Sequence, residues 1–78
     1  MENRIKEIAS TYIFGLVISC TESDKNSLEY HDAKAALEDL DCLKHTVYGM
    51  AYVQGISVPM SEVAHYCTMY QQEALEQI

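Results

Sequence analysis

Positive charge is scarce in this chain of 78 residues. Five Lys and Arg residues are set against twelve Asp and Glu residues, which gives a formal net charge of −7, and no Lys or Arg follows Lys44. Binding to nucleic acid or to an anionic membrane depends on clustered Lys and Arg side chains that meet phosphates. We therefore expect no direct nucleic-acid ligand and no membrane partner. The charge instead favours a partner protein with a basic surface.

Long apolar runs and a disulfide framework are also missing. No segment approaches the roughly 20 apolar residues of a membrane-spanning helix. The cysteines are odd in number and widely separated: Cys20, Cys42 and Cys67. A secreted disulfide scaffold has an even set, so we expect a cytoplasmic protein. The alternative is a lipoprotein cleavage box at residues 16–20, but Glu2 and Glu7 lie where a signal peptide carries basic residues.

The short length predicts one domain, residues 1–78, with a single hydrophobic core. A chain of this size buries only roughly 60% of the surface that its unfolded form exposes. The stability of a lone monomer is then marginal, and we expect a homodimer.

The first predicted helix covers residues 3–20. Apolar residues recur along it at helical spacing: Ile5, Ile8, Tyr12, Leu16 and Cys20. Further apolar residues fill its other faces in the second half, so we expect several neighbours to cover it. The alternative is a β-strand over residues 12–18, because that segment contains several β-branched residues.

A long second helix is predicted over residues 26–54. Asn26 and Glu29 have the spacing of a capping pair at its start, and Gly55 ends it. No proline interrupts the segment. Its apolar stripe advances in steps of three and four residues: Ala33, Ala36, Leu40, Leu43, Val47 and Met50.

The third predicted helix covers residues 59–77, and Pro59 suits its first turn. Its apolar stripe is Val63, Cys67, Tyr70, Ala74 and Ile78. The short connection makes the second and third helices an antiparallel hairpin. The predicted fold is thus all-α, a small three-helix domain with a long central helix. Part of that helix protrudes beyond its shorter neighbours, which again favours a dimer.

One face of the long predicted helix combines acidic and aromatic residues. At about 100° per residue, this face holds Glu38, Asp41, His45, Tyr48 and Tyr52. The third helix repeats the pattern with Glu62, Tyr66 and Glu73. Tyrosine gives a recognition surface apolar area with a polar tip, and carboxylates select Arg or Lys on a partner. These residues form the predicted protein-binding site.

Other interpretations of the same residues lead to different chemistry. Tyrosines at the rim of a small core and solvated acids would explain the pattern without a function. A metal site would need four side chains to converge: Cys42, His45, His65 and Cys67. The last two diverge by about 200° on one helix. Ser/His/Asp or Cys/His catalysis has no support in the sequence beyond the presence of these residue types, so we predict no catalytic residue, no metal and no cofactor.

Two segments resemble known families. Residues 51–57, with Gly55 four residues after an alanine, resemble the turn of a helix-turn-helix, although the following helix has no basic residue for DNA. Residues 38–56 are similar to the second half of the all-α nucleotide pyrophosphohydrolases of the MazG type. That resemblance implies a Mg²⁺-dependent hydrolase whose Glu-x-x-Asp pair is Glu38 and Asp41. The family's preceding Glu-Glu-x-x-Glu cluster is missing from this chain.

The function expected from these residues is that of a small interaction protein. It would inhibit or regulate a partner by presenting the acidic, tyrosine-bearing face, in the manner of phage-encoded inhibitors of host or defence proteins. Spaced carboxylates could also imitate nucleic-acid phosphates in a partner's groove. The alternatives are a degenerate relative of the pyrophosphohydrolases and a purely structural module that self-associates.

Overall fold

The computed structural model describes residues 4–78, and every regular element in that range is an α-helix. The helices are α1 (Arg4–Glu22), α2 (Leu28–Glu38), α3 (Leu40–Val53) and α4 (Met60–Leu75). The all-α prediction is confirmed, and the alternative of a strand over residues 12–18 is wrong. That segment is helical because its buried members Ile13 and Val17 are four residues apart and face the core together. The predicted start of the first helix at residue 3 lies outside the described residues.

The prediction of one long central helix is wrong, because the chain breaks at Asp39. Its backbone is extended, with φ −108° and ψ 96°, and it lies between the last residue of α2 and the first of α3. The Asp39 carboxylate accepts the amide of Cys42 at 3.2 Å, and its carbonyl accepts the amide of Leu43 at 3.1 Å. Asp39 is therefore the N-cap of α3. Aspartate favours this role because its short side chain competes with helical hydrogen bonding.

A glutamine from α4 completes the break. In an uninterrupted helix the carbonyl of Leu37 would accept the amide of Asp41. The side-chain amide of Gln71 takes this place, with Nε2 donating to the Leu37 oxygen at 2.9 Å. The carbonyl that the break exposes is thus paired, and α4 is tied to the end of α2.

The break also aligns two apolar stripes. Leu37 is the last buried residue of α2, and Leu43, Val47 and Ala51 are the buried residues of α3. Across a continuous helix, the six residues from Leu37 to Leu43 would rotate the chain by about 600°, which leaves the two side chains about 120° apart. The turn at Asp39 instead brings both into one core.

The path of the chain follows from one short connection and two contacts. The connection at residues 23–27 is short, so α2 turns back along α1. At the start of α1, the Arg4 guanidinium donates to the Gln54 side-chain carbonyl just after α3, at 2.9 Å. The ring of Phe14 in α1 meets the ring of Tyr70 in α4 edge to face, with centroids 5.7 Å apart. Together α2 and α3 therefore run along α1 where the single long helix was predicted, and four helices replace the predicted three.

The start of α2 and the end of α3 were both marked by sequence signals, and both are present, the first shifted by one residue. Ser27, not Asn26, caps α2, and its side chain accepts the amide of Tyr30 at 3.2 Å. Gly55 ends α3 as predicted, with φ 78°, a conformation that glycine adopts without a Cβ clash. The amide of Ile56 donates to Ala51 at 2.9 Å in the arrangement of a Schellman cap.

The core draws on all four helices. The predicted stripe of α4 is buried at Val63, Cys67, Tyr70 and Ala74. In the predicted long helix the buried positions include Leu37, which the predicted stripe omits, whereas Met50 is exposed. The accessible surface, 4954 Å² for 8.8 kDa, is close to the roughly 4,800 Å² expected of a folded monomer of this mass. The single chain is therefore as compact as a folded monomer of its mass, and the dimer stays a prediction.

Among the described residues, none of the helices has the length and apolar character needed to cross a membrane.

Candidate protein-binding face

Two tyrosine rings on α3 are open to solvent. Tyr52 is 75% exposed and Tyr48, one turn earlier, is 39% exposed. Both line a shallow hollow of about 260 Å³ together with Gly55, Ile56 and Ser57 of the connection to α4. Rings of this size usually bury most of their area, so the pair offers apolar surface that the monomer does not use.

Charged and titratable groups continue this face one and two turns toward the start of α3. The side chain of Asp41 is 79% exposed and pairs with Lys44, with 3.1 Å between Oδ1 and Nζ. The ring of His45 is exposed, and its Nδ1 lies 2.7 Å from the Asp41 carbonyl oxygen. Because a carbonyl only accepts, this nitrogen carries the proton and donates. We define the α3 face as Asp41, His45, Tyr48 and Tyr52.

Glu38 does not belong to that helix. It is the last residue of α2, on the other side of the break from Asp41. The prediction that Glu38 and Asp41 lie three residues apart on one helical face is wrong, because Asp39 interrupts the helix between them. The Glu-x-x-Asp arrangement implied by the pyrophosphohydrolase resemblance is likewise not formed within one helix.

The predicted residues of α4 lie on a different side of the molecule. Tyr70 faces α1 through its contact with Phe14, whereas the next residue, Gln71, faces α2. Helical spacing places Tyr66 one turn before Tyr70 on the α1 side. The same spacing puts Glu62 and Glu73 beside Tyr66. Tyr66 is half-buried and its ring meets His65 edge to face, with centroids 5.2 Å apart, while Glu73 is exposed.

The eight predicted site residues thus form two groups. The α3 face keeps Asp41, His45, Tyr48 and Tyr52 together on one helix, and the α4 group of Glu62, Tyr66 and Glu73 borders α1. Glu38 belongs to neither group. The α3 face is the more exposed of the two, since both of its rings are open to solvent.

The residues considered for a metal site are separated by burial. Cys67 is fully buried, whereas Cys42, His45 and His65 are exposed. Burial raises the pKa of the Cys67 thiol to about 11, although the nearby Lys44 ammonium lowers it. Within residues 4–78, no three His, Cys, Asp or Glu side chains gather in a way that could hold a metal ion.

Sequence reasoning missed two exposed apolar side chains on another side of α3. Val53 is 84% exposed and Met50 is 36% exposed, although Met50 was predicted to face the core. The signal lay in the buried residues Val47 and Ala51, which are four apart and leave both on other sides of α3.

Comparison with known proteins gave no match, neither to a protein family nor to a curated protein or a solved structure. The candidate site therefore rests on its own geometry.

Proposed function

We propose that this protein is a small acidic protein-binding module that inhibits or regulates a partner through the α3 face. The observation that carries the proposal is the exposure of Tyr52 and Tyr48, 75% and 39%, beside an exposed carboxylate on the same helix. Tyrosine is enriched among the residues that dominate binding energy at interfaces. A basic partner surface is the natural complement of a chain with net charge −7.

The two parts of the face have different roles in this proposal. The tyrosine rings supply the apolar contact area, and the hollow beside them accommodates a side chain of the partner. Asp41 adds charge selection, because a carboxylate can accept two hydrogen bonds from an arginine fork. Asp41 is the solvent-exposed member of its ion pair with the half-buried Lys44, and a pair of this kind at a helix surface contributes little to stability, so a partner arginine can replace the lysine.

The first experiment removes the rings. The wild-type chain and the Tyr48→Ala, Tyr52→Ala double variant are immobilised, and proteins captured from a relevant lysate are quantified by mass spectrometry. A partner that uses these rings as anchors loses about 2 kcal/mol or more, which is roughly a 30-fold loss of affinity. Leu28→Ala is the matched control, because Leu28 is 71% exposed at the start of α2. Equal capture by wild type and the double variant would remove the proposal.

A second experiment tests charge selection. Asp41→Lys reverses one charge on the α3 face, and Glu29→Lys makes the same change at an exposed position of α2. We expect the first variant to lose capture and the second to retain most of it. Capture by wild type is expected to weaken as salt rises, since exposed charges are screened beyond roughly 10 Å at 0.1 M. If both variants lose capture to the same extent, net charge alone attracts the partner and the α3 face is not its specific binding site.

A further inference from the structure

A second exposed side of α3 carries no charged residue. Steps of four, three and four residues connect Cys42, Thr46, Gly49 and Val53, which is the spacing of a helix-packing stripe. Met50 lies beside them, and Thr46, Gly49, Met50 and Val53 line an apolar hollow. We define these five residues as the outer seam. Thr46 is half-buried and the other four are exposed, Val53 by 84%.

Gly49 lies near the middle of the seam, and nothing within the monomer requires a glycine at that position. Its φ is not positive, and a Cβ placed on it would meet nothing within 4 Å. A glycine inside a helix costs about 1 kcal/mol relative to alanine. Glycine does permit the backbone of a second helix to come close, toward the short end of the 8–10 Å range of interaxial distances.

Charge is distributed unevenly along the 40 Å length of the molecule. One end comprises the α1–α2 connection, the start of α2 and the end of α4, which approach one another around a hollow. It holds six carboxylates and two lysines: Glu22, Asp24, Lys25, Glu29, Asp32, Lys34, Glu73 and Glu76. We call this end the acidic pole.

The other end comprises the start of α1, the end of α3 and the start of α4. Among its described residues the charges balance, with Arg4 and Lys6 against Glu7 and Glu62. The seam runs from the middle of the molecule to this neutral end. The seam has no charge that would attract a basic partner, whereas a second copy meets no like charge there.

We propose that two copies of this chain associate through their outer seams, with the two α3 helices antiparallel. The seam is self-complementary in that direction. Its C-terminal end is large, with Met50 and Val53, and its N-terminal end is small, with Cys42 and Thr46. A twofold axis places each large end over the small end of the other copy and puts Gly49 near the crossing.

The antiparallel arrangement also separates the charge. Each acidic pole then points away from the other along the dimer, so the net charge of −7 per chain opposes association least. A stable interface buries about 800 Å² of each partner, which is roughly one sixth of the 4954 Å² surface of this chain. From the seam the contact continues into the adjoining groove toward α1, which Ile8 and Thr11 line together with the charged residues Arg4 and Glu7.

Sedimentation over a wide concentration range tests the association. We expect wild type to dimerise and Gly49→Gln to remain monomeric, with at least a tenfold weaker association. Because the space beside Gly49 is open, the same variant is expected to raise the melting temperature of the monomer. Ala35→Gln, at an exposed position of α2, is the control that leaves association unchanged. A wild type that is monomeric at every concentration, or a Gly49→Gln dimer as tight as wild type, would overturn the proposal.

Disulfide cross-linking tests the direction. Cys42 is exposed, while Cys20 and Cys67 are buried. The eleven residues from Cys42 to Val53 span about 16 Å of helix, so in the antiparallel dimer the two Cys42 thiols are too far apart to bond. We expect copper phenanthroline to link Cys42 to the introduced thiol of a Val53→Cys partner and to leave wild type largely unlinked. Efficient linking of wild type through Cys42 alone would contradict the antiparallel seam.

Discussion

The hydrogen bond between Gln71 and the Leu37 carbonyl predicts a measurable part of the stability. Replacing Gln71 with leucine keeps most of the side-chain volume and removes the amide that donates at 2.9 Å. The Leu37 oxygen is then left without the donor that the break requires. Leaving a buried acceptor unpaired costs about 1–3 kcal/mol. Because Gln71 is half-buried, water can reach part of the site, and we expect the lower end of that range.

A loss of about 1 kcal/mol lowers the melting temperature of a domain of this size by roughly 4–8 °C. Thermal and urea unfolding followed by far-ultraviolet circular dichroism measure it. Gln72→Leu is the matched control, since Gln72 is the next residue of α4 and is exposed. The two variants have the same composition, so their difference in unfolding free energy reports the position alone. If Gln71→Leu is as stable as Gln72→Leu, the hydrogen bond does not stabilise the break.

Two further predictions concern single side chains. Ser27→Ala removes the cap of α2 and is expected to cost about 1 kcal/mol in urea unfolding, whereas Asn26→Ala costs less because Ser27 makes the bond to the helix amide. Burial raises the pKa of Cys67 from 9.0 to about 11 despite Lys44. The folded chain therefore holds that proton more tightly, and this contribution, up to about 2–3 kcal/mol, is complete below pH 9 and lost toward pH 11. Stability measured across that interval is expected to fall less steeply in Cys67→Ala than in wild type, and equal slopes would count against it.

The sequence predicts the helical class and the ends of helices where one local signal is unopposed. The buried stripe of α4 from Val63 to Ala74 follows from spacing alone, because a helix must turn one apolar side to the core. Gly55 marks the end of α3 because only glycine adopts its positive φ without strain. Both signals act within a few residues, so no tertiary contact is needed to interpret them.

The break at Asp39 was not predicted because the segment has no proline or glycine there. The information was nevertheless present in the apolar phase. Continuing the helix from the buried Leu37 by four and seven residues leads to Asp41 and Lys44, both charged. When the next positions of an apolar helical stripe are charged residues, the helix is expected to end or change direction there. The predicted stripe avoided this conflict by passing through Ala36 and Leu40, which are only half-buried.

The candidate site shows the same division between local and tertiary information. The grouping of Asp41, Tyr48 and Tyr52 needs only the geometry of one helix, and the structure keeps it. Whether Tyr66 joins them depends on how α4 is rotated against its neighbours. That rotation is set by the contact of Tyr70 with Phe14 and the bond from Gln71, each between residues more than 30 positions apart.

The break links the core to both surfaces proposed for interaction. By turning the chain at Asp39, it directs Leu43 and Val47 inward, and the remaining sides of α3 must then face solvent. One of those sides holds the tyrosines and the other holds the outer seam with Gly49. A continuous helix with Leu37 in the core would rotate α3 by about 120° and could not present both surfaces while filling the core. The polar residues at the break therefore determine which sides of α3 a partner or a second copy can reach.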